Sequence, residues 1–165
     1  MDGAINAFVD KKGFGLKKFA NDEEKKKKEE KDKSMKMSER LNLYKDRQRN
    51  NLSENAYGAI VRLRMDNSHP LGFGYDKEYL SLKLRNRRYA YLESGWNVGT
   101  TQDSTSIVSG FVGFKAKQNF RESLVFGVEE IGRGSVVYMV DNPLFRGFWY
   151  NGKLLFGNAV FLVGN

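Results

Sequence analysis

Ten consecutive residues, Asp22 to Lys31, are all charged, and no protein interior accepts such a run. It sets a short glycine-punctuated start apart from a body over 57–165 in which apolar side chains recur. Between Lys11 and Asn50 fall 15 Lys or Arg and 8 Asp or Glu, so +7 of the chain's net +8 sits in one segment. Acids precede lysines by four residues, Glu23 before Lys27 and Glu24 before Lys28, a spacing that supports a solvated helical insertion over 21–50. Leu41 and Tyr44, three residues apart, are expected to dock its second half on the body. The alternative use of so many lysines is a contact with nucleic acid or another anionic polymer. Interleaved carboxylates and few aromatics for base stacking disfavour nucleic acid as partner and leave weak, salt-sensitive binding at most.

From Ala59 the pattern turns to period two, with Ile60, Leu63 and Met65 among arginines, and predicts a strand. Asn67-Ser68-His69-Pro70 reads as a turn, because the residue before proline is pushed out of the helical region. Further strands are predicted at 79–84, 89–92, 107–112 and 123–128. Gly132-Arg133-Gly134 reads as the tip of a hairpin leading into Val136–Val140. Asp141-Asn142-Pro143 stops that strand, and apolar spacing over Phe148 to Val163 predicts a largely buried helix ending at Gly164. No secretory signal or membrane-spanning run is visible, so the chain reads as one domain over 1–165 with no membrane contact.

Composition narrows the chemistry. The 165 residues contain no cysteine and one histidine, His69. Thiol nucleophiles and cysteine-ligated metals are excluded, and a catalytic zinc, which takes three protein ligands and mostly histidines, has too few here. The reading is of a chain without enzymatic activity or cofactor of its own. Ser68 and His69 are adjacent on extended backbone and point apart, which favours a turn-capping histidine over a serine–histidine pair. Gly13-Phe14-Gly15 and Gly72-Phe73-Gly74 lack the Lys-Ser/Thr of a phosphate loop, and turns and close packing account for both. Glu129 and Glu130 face opposite sides of a strand, so they cannot cooperate as acid and base. Asp141, Arg146 and Trp149 form the densest remaining cluster. They stand either at a ligand site beyond a strand's C-terminal end or, the favoured reading, as an Asp141–Arg146 pair clamping the hairpin to the last helix.

Several of these stretches resemble one family. Asn67-Ser68-His69-Pro70-Leu71-Gly72-Phe73-Gly74, and the block from Gly134-Ser135-Val136-Val137-Tyr138 through Asp141-Asn142-Pro143-Leu144-Phe145-Arg146-Gly147-Phe148-Trp149 to Asn151-Gly152-Lys153-Leu154-Leu155-Phe156-Gly157-Asn158-Ala159, look like class I glutamine-amidotransferase-like domains. The particular likeness is to the version at the C-terminal end of large secreted bacterial zinc carboxypeptidases. It implies a partial flavodoxin-like, three-layer α/β domain with a C-terminal hairpin, a docked C-terminal helix and a charged N-terminal helix. It implies a non-catalytic accessory role too, with zinc held by a separate peptidase domain in a periplasmic or secreted parent. The resemblance begins partway through that domain, so the peptidase domain or the missing half is the expected partner. An uncovered sheet edge favours self-association.

Overall fold

The computed structural model describes residues 4–19, 43–102 and 106–164. Of the predicted charged helix, residues 21–42 with Leu41 lie outside the described residues. Its end is a single 3-10 turn, Tyr44–Asp46, running into α1, Arg47–Glu54. Tyr44 does not dock on the body: it is 78% exposed, and the Arg47 guanidinium lies 4.4 Å over its ring. The reason is compositional, since α1 has one apolar side chain, Leu52, and buries nothing.

Six strands follow: β1 (Ala56–Met65), β2 (Glu78–Lys83), β3 (Trp96–Thr101), β4 (Ile107–Val112), β5 (Ser123–Ile131) and β6 (Gly134–Met139). They form one curled sheet in the order β2-β1-β3-β5-β6, and β4 joins the first half of β1 on the edge that β3 takes further along. Every pairing is antiparallel. The chain is thus mixed α/β, but the described residues form no flavodoxin-like parallel sheet and no three layers. The connections explain this. Parallel neighbours need a crossover of about a dozen residues or more, usually helical, whereas β5 passes to β6 through Gly132 and Arg133 alone. The 12 residues between β1 and β2 hold only the 3-10 turn Pro70–Gly72.

The predicted hairpin is present, with Glu129 opposite Val136 and Ile131 opposite Gly134. The predicted strand at 89–92 is not. Tyr89 makes one isolated bridge to Lys18, while the Leu92 backbone N–H and C=O are both taken by the Asn97 side chain, which replaces a strand neighbour. β3 escaped the sequence reading because Asn97 and Gly99 interrupt its apolar pattern.

The last helix, α2, spans Asn151–Phe161 rather than starting at Phe148. After the left-handed step at Arg146 and Gly147 (φ +50° and +73°), the Tyr150 N–H bonds the Phe148 carbonyl and the Gly152 N–H the Trp149 carbonyl, tighter turns than an α-helix makes, so the helix begins only at Asn151. Gly152 lets α2 approach the chain, since a Cβ there would fall 1.9 Å from the Pro143 carbonyl oxygen. α2 is not largely buried: Gly152, Leu155 and Asn158 point inward, and most of its other side chains face solvent.

The core lies on both sides of β5, whose first seven residues are all buried. Val61, Leu63, Val98, Phe126 and Leu155 pack together on one side. Ile5, Val9 and Leu16 of the N-terminal segment cover Leu124, Tyr138 and Val140 on the other.

Candidate functional site

The curl brings the two ends of the sheet together through polar side chains. β2 turns Tyr79, Ser81 and Lys83 inward and Leu80 outward. Asp141, just beyond β6, meets them: Ser81 Oγ donates to its Oδ2 at 2.7 Å, and Lys83 Nζ lies 3.2 Å from Oδ1. Lys83 is 0% and Ser81 2% exposed, and the amine also sits 5.5 Å over the Phe120 ring. A serine beside a lysine is chemically a nucleophile and a base. Here both are committed to Asp141, and the adjoining cavity of about 20 Å³ has room for a single water. Tyr79 lies deep beside them with its hydroxyl unpartnered among the described residues, and burial pushes its pKa well up. The Trp149 indole N–H, close enough to oppose that shift in part, donates instead to the Leu80 carbonyl at 3.2 Å.

The favoured Asp141–Arg146 pair does not form. Arg146 stands at a positive φ in an exposed 3-10 turn, with its guanidinium 5.3 Å over the Phe145 ring. Asp141 is satisfied from the opposite side by Lys83. Asp141 and Trp149 therefore converge on β2.

His69 lies elsewhere. It precedes the 3-10 turn and its Nδ1 accepts from the Leu71 N–H at 3.0 Å, so it caps the turn. Its ring sits 5.3 Å from that of Trp96, at the wall of an open groove of about 600 Å³. Asp66, Glu130, Arg133 and Leu162 line the same groove. Hydrogen bonds from Ser68 hold the Asp66 carboxyl below its usual range, and burial lowers the His69 pKa against a weaker opposing pull from Asp66. The groove thus combines a weakly basic imidazole with two acidic side chains, one guanidinium and an indole face.

Glu129 and Glu130 do face opposite sides. Glu130 is exposed, and Glu129 is buried, accepting from Tyr138 Oη at 2.6 Å and from the Gly15 N–H at 2.8 Å. A Cβ on Gly15 would fall 2.6 Å from the Glu129 Oε1, so close packing accounts for that glycine. Asn158 closes the base of the fold by donating to the Leu71 and Phe73 carbonyls.

No protein-family model, curated protein or solved structure matches the chain. Among the described residues no three His, Cys, Asp or Glu side chains gather as metal ligands, and no helix is long and apolar enough to cross a membrane. Sequence reasoning missed Ser81, Lys83, Glu129–Tyr138 and Asn158 as structural partners. The local pattern carried no signal for the first two, because alternation on the predicted strand puts Leu80 and Leu82 inside and Ser81 and Lys83 outside, the reverse of what the fold adopts.

Proposed function

We propose that this chain is a non-catalytic accessory module of a zinc-carboxypeptidase-like protein, of the class I glutamine-amidotransferase-like kind that its 67–74 and 134–159 stretches resemble. One observation carries the reading: the reactive-type side chains of those stretches are spent on folding contacts. Asp141 is committed to Lys83 and Ser81, Trp149 to Leu80, Asn158 to Leu71 and Phe73, and His69 Nδ1 to Leu71. With no thiol and no second imidazole in the sequence, the chain's contribution is a surface and a scaffold. In this reading the antiparallel sheet is part of a larger α/β domain, whose flavodoxin-like parallel layer comes from the missing half of that domain in the parent protein. The zinc and its ligands belong to the peptidase domain.

The test has two arms. The purified chain should release no C-terminal amino acids from a peptide, with or without chelator, and should co-elute with a zinc-peptidase domain encoded alongside it. Chelator-sensitive trimming by the chain alone would overturn the proposal, as would the lack of any such peptidase domain in the adjoining coding sequence. The rival reading, a polyanion contact through 21–50, rests on charge. It gains ground if a gel shift with nucleic acid survives physiological salt and disappears when 24–36 is deleted.

A further inference from the structure

We infer that the groove beside Trp96 and His69 binds a neutral oligosaccharide, with the Trp96 indole as the platform for one sugar ring. This site rests on the groove alone and does not depend on the peptidase reading.

The fold builds the groove at the end of a core face. Val128 of β5 is buried there, opposite Val137 of β6 and Trp96 of β3. Side chains alternate along a strand, so Glu130 follows Val128 on the same face, opposite Ser135. Burial stops at that step. Val128 is 1% exposed, whereas Glu130 and Ser135 stand in the open and Trp96 is 43% exposed. Gly95 seats the tryptophan, since a Cβ there would fall 2.5 Å from the Val128 carbonyl oxygen. Asp66 and His69 from the loop after β1, Arg133 from the hairpin tip and Leu162 beyond α2 complete the walls. A second open pocket of about 400 Å³ adjoins at His69 and Leu162 and reaches the exposed ring of Phe73.

The walls specify the ligand. An indole left this exposed in a groove presents a flat apolar surface to whatever occupies it. Its π face is electron-rich and attracts the polarised C–H groups on the face of a sugar ring. Around it stand hydrogen-bonding groups of both kinds. The acidic side chains of Asp66 and Glu130 accept, and the Arg133 guanidinium only donates. His69 Nδ1 is taken by the Leu71 N–H, so the neutral ring carries its proton on Nε2 and donates from there. Neither Glu130 nor Arg133 has an ion-pair partner among the described residues, and both are open to a ligand.

This mixture selects against charge. A cation would meet Arg133, and an anion would meet two acidic side chains; a hydroxyl is uncharged and both donates and accepts. The groove of about 600 Å³ lies within the roughly 300–1,000 Å³ of small-molecule sites. The adjoining pocket at Phe73 gives room for a short chain of sugars rather than one ring.

The chain has two tryptophans, which supplies an internal control. Maltotriose, cellotriose, mannotriose and triacetylchitotriose are each titrated into the full chain, and the indole N–H signals are followed by NMR. At least one sugar should shift the Trp96 signal saturably at millimolar concentration. The Trp149 signal, whose N–H is held by the Leu80 carbonyl, should stay in place. Arg133→Ala and Glu130→Gln, both on exposed side chains, should each weaken that binding about fivefold, the effect of losing one hydrogen bond. Their circular dichroism should match the parent. Calorimetry should show no heat of binding for Trp96→Ala. A Trp96 signal that ignores all four sugars overturns the inference, as does one that moves further with trilysine or trigalacturonate. Parent-like sugar binding by both R133A and E130Q overturns it too. Each of these failures would leave the accessory reading standing, because that reading is tested by the peptidase domain and not by this groove.

Discussion

On β2 a lysine faces the interior, and on α2 a phenylalanine faces water; each reverses the usual placement, and for different reasons. Lys83 is inside because the curl of the sheet delivers Asp141 to it, with Ser81 on the second carboxylate oxygen. The polar interior is complete within one chain. Phe161 is outside, 72% exposed, on a helix whose inward positions are filled by Gly152, Leu155 and Asn158. An inverted pattern that is satisfied internally marks a structural staple, whereas an apolar side chain standing mostly in water carries little of the fold's stability.

The staple yields the largest expected effect. Asp141→Ala leaves an ammonium at 0% exposure without its counter-charge, which should cost about 3–5 kcal/mol in denaturant unfolding. Replacing both partners, Lys83→Met with Asp141→Leu, should recover most of that loss, because an apolar pair of similar volume carries no desolvation cost. If the double variant is as unstable as the single one, the carboxylate is needed for something beyond pairing, and the comparison with α2 fails.

Glu129 gives a smaller, pH-dependent version of the same test. Tyr138→Phe removes one of its two donors and should cost about 1.5–3 kcal/mol, as for a hydrogen bond to a charged group. Burial first, and then the Glu129 hydrogen bond, raise the Tyr138 pKa above its ordinary 10.0. A raised phenol favours the protonated form in the fold, so its contribution is full below pH 10 and fades as pH rises beyond it. Parent chain and Y138F should therefore converge in stability on the alkaline side; parallel curves would place the effect in packing.

How far the sequence could be read follows the same division. The hairpin at Gly132-Arg133, the strand at 107–112 and the stop at Asp141-Asn142-Pro143 were legible, because local chemistry decides them. The Lys83–Asp141 pair was not, since 58 residues separate the partners and only the curl of the sheet unites them. On β2, alternation alone would send Leu80 and Leu82 inward; the tertiary fold chose the opposite phase. His69 stands on the legible side. Protonating it would remove the acceptor for the Leu71 N–H, and burial holds its pKa below 6.5. Its contribution is therefore present above pH 6.5 and lost as pH falls through the lowered folded value. Histidine to alanine at 69 should cost about 0.5–1 kcal/mol at neutral pH and flatten this acid limb. An NMR titration midpoint above 6.5 would refute the assignment.

The smallest effect is the sharpest discriminator. Phe161→Ser should change unfolding stability by no more than about 0.5 kcal/mol in denaturant unfolding, because the residue is 72% exposed. A loss of 2 kcal/mol or more, about the cost of emptying a core site, would mean that Phe161 carries packing energy like a core residue. The two inversions would then be one phenomenon, with α2 as self-contained as the Lys83 staple.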